Sequence, residues 1–148
     1  MKIYVCVKHV PDTAADITVT DSTHIDEDIT FVVNPYDEYA IEEAVLLKER
    51  VEDAELIAVA LGNNAAEETL RSALAMGADR GILIHSNTAV DSLLTASALK
   101  TAIEQDGPAD IVFTGKASID NQGFQTMYRM AALQRVLTNP VIPCFPPL

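Results

Sequence analysis

The stretch TGKASIDNQGFQT, residues 114–126, decides how this sequence folds. An apolar run, Ala109–Phe113 (ADIVF), delivers it, and an amphipathic segment, Phe124–Leu137, carries the chain away. Between them come Gly115, Lys116 and Ala117. Four residues that bond through hydroxyl, carboxylate or amide groups follow (Ser118, Asp120, Asn121 and Gln122), with Ile119 among them, and then Gly123, Phe124, Gln125 and Thr126. A polar loop at the carboxyl end of a strand, opening onto a helix, is where open α/β sheets hold nucleotides. The first N–H groups of the helix lack intrahelical partners, so an anion in front of them is favoured. The same residue types also build ordinary turns and caps. This loop carries more polar groups than a turn needs, and binding is the better reading. Lys116 suits a phosphate or plain solvent equally well, and decides nothing alone. Gln125 and Thr126, near the first helical turn, offer amide and hydroxyl groups to a phosphate.

Outward from the loop, apolar and helical segments alternate. Lys2–Val7 (KIYVCV) predicts a short buried strand, and Pro11 keeps it from running on in a ladder. Asp16–Thr20 and Ile29–Val33 are β-branched and flank a polar stretch, which predicts a hairpin. Asn34-Pro35-Tyr36-Asp37-Glu38 reads as a helix start, with a capping Asn, a first-turn Pro and two carboxylates beside the positive dipole end. Further strands are expected at Leu56–Leu61 and Gly81–Ile84, and further helices at Ala65–Met76, ended by Gly77, and at Val90–Gln105. Alternation of this kind implies parallel strands joined by right-handed crossovers. The fold class is therefore α/β, a Rossmann-like, open, mostly parallel sheet with helices on both faces, plus a small hairpin excursion. Residues 1–137 form one nucleotide-binding domain on this reading. Thr138–Leu148, with four prolines, is neither helix nor central strand and reads as a tail.

Composition narrows the function. The 148 residues suit one core, and at 49% hydrophobic the chain is too apolar for disorder. No run approaches the ~20 apolar residues a membrane span requires, and the start shows no signal-peptide pattern, so membrane insertion is not expected and a cytoplasmic location is. A formal charge of −12 argues against nucleic acid as a partner. Cys6 and Cys144 could pair in principle, but Cys6 sits in an apolar run and reads as a buried thiol, and His9, His24 and His85 lack metal-ligand spacing. There is no Walker loop, no GxGxxG after the first strand and no nucleophile motif. Asn63 and Asn64 read as caps ahead of ligand contacts. The acidic groups Asp37, Glu38, Glu42 and Glu43 read as a solvated helix face. The residues offer a binding site and no catalytic machinery.

Four segments, VCVKHVPD (5–12), NPYDEYAIEEA (34–44), TLRSALAMGADRGILI (69–84) and GKASIDNQGFQT (115–126), keep the order and spacing of a known family. Together the chain resembles the beta subunit of electron transfer flavoproteins, from its start to about Leu133. The resemblance implies an electron carrier rather than a catalyst. Its partner would be an alpha subunit bearing FAD, and an acyl-CoA or related dehydrogenase would be served indirectly. It also implies AMP or a second FAD at this sheet edge. Carried over by motif, the contacts would be Cys6, Asn34, Pro35, Tyr36, Asp37, Leu61 and the 115–126 loop. Asp120, Asn121, Gln125 and Thr126 would be strongest, while Cys6 and Leu61 would offer backbone groups. Family members continue past the point near Gln134 where this sequence leaves the pattern, which suggests a truncated product, an engineered fragment or a short homologue. A stand-alone adenine-nucleotide-binding module, or a truncated non-functional copy, is the alternative.

Overall fold

In the computed structural model, which describes residues 1–134 apart from residues 23, 24 and 27, the apolar run at the start is strand β1, Lys2–Val7. Two short strands follow, β2 (His9–Pro11) and β3 (Phe31–Val33), then helix α1 (Pro35–Arg50) and strand β4 (Glu55–Gly62). A 3-10 turn, Asn64–Ala66, leads into α2 (Glu67–Met76), and β5 (Arg80–His85) and α3 (Ser92–Asp106) come next. The described chain closes with β6 (Ile111–Thr114) and α4 (Thr126–Gln134).

The main sheet has the order β5-β4-β1-β6, and every pairing in it is parallel. Alternation along the strands separates two cores. Ile3, Val5 and Val7 of β1, with Leu56, Ala58 and Ala60 of β4, pack against Ala40, Ile41 and Ala44 of α1 and against Leu70 and Ala73 of α2. Tyr4, Cys6, Ile57 and Val59 face the other way, onto Ala96, Leu99 and Ile103 of α3 and Met130 of α4. With helices on both faces the inner strands are apolar throughout, as sheets of this class require. Each fully buried Val, Leu, Ile or Met side chain among them contributes about 1.5–3 kcal/mol through burial. Among the described residues no helix is long and apolar enough to cross a membrane.

From β1 the chain builds outward through β4 to β5, then returns to the far side of β1 with β6. The strand order therefore reverses between β1 and β6, and the crevice at their carboxyl ends is where such sheets bind ligands. At the opposite end of the sheet, Arg80 Nη1 and Nη2 donate to the two oxygens of Asp106 at 2.9 and 2.6 Å, and Tyr4 Oη donates to the same carboxylate at 2.7 Å. This cluster ties α3 to β1 and β5, away from the crevice.

Three expectations need correction. A small antiparallel excursion exists, but Phe31–Val33 pairs with His9–Pro11 and not with Asp16–Thr20. Val19 instead forms an isolated antiparallel bridge with Ile25. Pro11 ends the ribbon opposite Phe31, an edge position that tolerates its missing N–H. The last helix begins at Thr126, not Phe124. Gln122 lies in the left-handed region with φ +51° and donates its N–H to the Ser118 carbonyl, so the chain is still turning there. The final strand sits two residues later at its start than expected, at Ile111–Thr114. The proline-rich tail, Cys144 and His24 lie outside the described residues.

Candidate functional site

The rim of the crevice is assembled by the first turn of α1. Pro35 stands at the first helical position, where its fixed φ suits the helix and its missing N–H costs nothing. Asn34 precedes it, yet its side chain makes no capping bond, against the expectation from sequence. It is buried, at 1% exposure, and reaches across to the loop after β6. Its Nδ2 donates to the Ala117 carbonyl at 2.8 Å and its Oδ1 accepts from the Ile119 N–H at 3.2 Å. One amide side chain thus supplies the donor and the acceptor that a neighbouring strand would have given this stretch of backbone.

Asp37, one residue into the same turn after Tyr36, is also buried. Its Oδ2 accepts the Lys8 N–H at 2.8 Å, immediately after β1. Burial pushes its carboxyl up to about 7, against the opposing pull of the Lys8 and Gly115 amides, the Asn34 side chain and the Lys8 charge. Gly115 has to be glycine. A Cβ at that position would overlap the Asp37 carboxylate and stand 2.9 and 3.0 Å from the Tyr36 carbonyl carbon and the Asp37 nitrogen. Lys116, just beyond, lies with its ammonium 5.4 Å from the Tyr36 ring centre, a cation–π contact at the mouth.

Lys8 closes the crevice from the β1 side. Its Nζ donates to both oxygens of Asp120, at 2.8 and 2.6 Å, and lies 3.4 Å from Ser118 Oγ. Burial works to raise the Asp120 carboxyl, but the Lys8 ammonium and the Ser118 hydroxyl outweigh it and hold the group below its ordinary range. Ser118 Oγ donates to Asn121 Oδ1 at 2.6 Å, and that oxygen also accepts the Gly123 N–H at 2.8 Å. The loop is therefore held by its own short polar side chains. Phe124 is exposed, and Gln125 accepts at Oε1 from Arg129 Nη2 at 2.7 Å. The first helical bond of α4 runs from the Arg129 N–H to the Gln125 carbonyl, so the amides of Thr126, Met127 and Tyr128 precede it.

Cys6 and Leu61 sit at the carboxyl ends of β1 and β4, as expected. The Cys6 thiol is buried and pushed up to about 12 by that burial and by the Asp37 charge, which leaves it a neutral packing group. Asn63 caps the turn before α2 by accepting the Ala65 N–H at 3.0 Å. Sequence reasoning named Cys6 at the end of β1 but missed the Lys8 side chain just beyond it. The available signal was a lone lysine at the end of a buried strand, where a charge needs a partner. Asn34, Asp37, Gly115, Ser118 and Asp120 are brought together with Lys8, whereas Leu61 stands one strand away.

The family model for the electron transfer flavoprotein domain matches residues 22–136. The chain is 42% identical over 133 residues to the electron transfer flavoprotein subunit beta of Syntrophomonas wolfei, covering 90% of this chain and 52% of that one. It is 41% identical over 135 residues to the mitochondrial electron transfer flavoprotein subunit beta of Arabidopsis thaliana, covering 90% and 53%. Protein FixA of Bradyrhizobium diazoefficiens is 38% identical over 128 residues, covering 82% and 44%. The chain spans about half the length of the curated relatives it matches. With the family pattern covering most of its length and relatives agreeing across nine-tenths of it, this chain belongs to the electron transfer flavoprotein family.

Proposed function

We propose that this chain binds an adenine nucleotide, AMP or FAD, in the crevice between the carboxyl ends of β1 and β6. On this reading it serves as the beta-subunit-like part of an electron carrier, beside an FAD-bearing alpha subunit that exchanges electrons with an acyl-CoA or related dehydrogenase. The observation that carries the reading is a loop already shaped at the point of strand-order reversal, pinned by Asn34 and Lys8 and leading into the open amides at the start of α4.

The donor set suits the ligand. A phosphate is held well by backbone amides at a helix N-terminus and by short hydroxyl and amide groups, with no net positive cluster required. The amides of Thr126 and Met127, the Thr126 hydroxyl and the loop from Asn121 to Gln125 would take the phosphate. Backbone groups at Cys6, Leu61 and residues 34–37 would line the nucleoside. Bound FAD supplies an isoalloxazine that takes up and passes on electrons, whereas AMP supplies only binding energy. On this reading the chain's own residues bind and orient the nucleotide.

Titration calorimetry of the purified chain with AMP and with FAD tests this reading. Binding of one of them is expected, weakened about tenfold, or about 1.4 kcal/mol, in Asp120→Ala and in Thr126→Ala, with the far-ultraviolet circular dichroism unchanged. Unchanged affinity in both variants would remove the loop from the site.

A further inference from the structure

We propose that Asp37 is the positioning residue of this crevice: from the first turn of α1 its carboxylate holds the turn after β1 and the turn after β6 together, and so sets the shape a nucleotide meets. The ligand half of this inference rests on the nucleotide reading above. The tie itself stands on geometry. Asp37 is 6% exposed, takes the Lys8 N–H at 2.8 Å, and fills the space that the missing Cβ of Gly115 leaves. Those two backbone points flank the place where the strand order reverses. An interior carboxylate is costly unless it is hydrogen-bonded, so a residue serving packing alone at this position would be apolar. Asn34 fixes the same loop two and four residues further on, at Ala117 and Ile119. A single helical turn thereby sets both walls.

Burial brings the Asp37 carboxyl to about 7, so its charge changes near neutrality. Protonation turns one acceptor oxygen into a donor, and the tie to an amide is lost with it. Cys6, near the carboxyl end of β1, feels the Asp37 charge, and burial keeps its thiol neutral, while the Lys8 ammonium nearby is held by Asp120. From the β6 side come Gly115 and then Lys116, whose ammonium lies over Tyr36.

The test is a pH titration of the 15N-labelled chain from 6 to 8.5, combined with AMP affinity of wild type and Asp37→Asn across the same range. The Lys8 and Gly115 amide protons are expected to shift together with a midpoint near 7 in wild type and to stay still in D37N. AMP affinity should be about tenfold weaker in D37N at the alkaline end, with the ratio approaching one at the acid end. Titration of the AMP phosphate is common to both proteins and cancels in that ratio. Amide shifts that do not titrate in wild type, or an affinity ratio constant with pH, would overturn the proposal. If neither AMP nor FAD bound, the nucleotide reading would fall, and the wild-type shift titration would still decide for or against the Asp37 tie. That arm needs no variant to fold.

Discussion

Asn34 stands where a helix-capping residue belongs, and its neighbour Pro35 marks the helix start without ambiguity. The start was legible because proline's fixed φ acts locally. The side chain's true partners were not, since Ala117 lies 83 residues further along the chain and no local pattern reports it. This changes what a substitution should do. Asn34→Ala is expected to cost about 1–3 kcal/mol, because it leaves the Ala117 carbonyl and the Ile119 amide unpaired beneath the surface. Losing a cap alone would cost about 1 kcal/mol. Urea denaturation measures the difference as a lowered midpoint at constant slope. Gly115→Ala should be destabilising by roughly 1–3 kcal/mol for a different reason, since its methyl group meets backbone and a buried carboxylate instead of a flexible side-chain end.

Strand β1 was readable to its last residue, because burial on both faces leaves an unbroken apolar run. Phe31–Val33 was equally readable as extended, but a two-residue period names a strand and not its partner, and the partner was His9–Pro11. At α3 the signal lay in plain view. Asp91 precedes Ser92-Leu93-Leu94, and its Oδ1 accepts both the Leu93 and the Leu94 N–H, at 2.9 and 2.8 Å. Those bonds, above all the one from Leu94, also hold its carboxyl below its ordinary range. The apolar residue Val90 drew the expected helix start two residues too early. Asp91→Ala should lower the midpoint of thermal or urea unfolding, with nucleotide affinity unchanged. An affinity loss in that variant would mean that α3 bears on the crevice.

Across the whole molecule the alternation of strands and helices fixed the class, but the order β5-β4-β1-β6 was not written in it. Which side of β1 receives β6 depends on which edge remains open once β4 has paired, a property of the assembled sheet. Two carboxylates, Asp37 and Asp106, are shifted furthest and shape how stability depends on pH. Asp37 has a folded value near 7 against an ordinary 3.8, so the native chain keeps a proton the unfolded chain has released, and stability should rise as pH falls from 8 toward 5. Asp106 is held well below the usual carboxylate range, first by the Arg80 guanidinium and then by the Tyr4 hydroxyl, so the stability it contributes is present at neutral pH and is lost on acidification below its ordinary 3.8. Urea midpoints should therefore peak near the ordinary carboxylate value of 3.8, with Asp37→Asn flattening the alkaline side and Asp106→Asn the acid side. A wild-type profile that was level from 8 to 5 would contradict the buried, charge-bearing role of Asp37. The claim that most needs testing is that an adenylate sits at the rim between β1 and β6, and amide chemical-shift mapping with AMP tests it most directly. Saturable shifts gathered at Lys8, residues 34–37 and residues 115–128 are the expected result. A silent rim, or shifts gathered instead around Arg80 and Asp106 at the other end of the sheet, would contradict it.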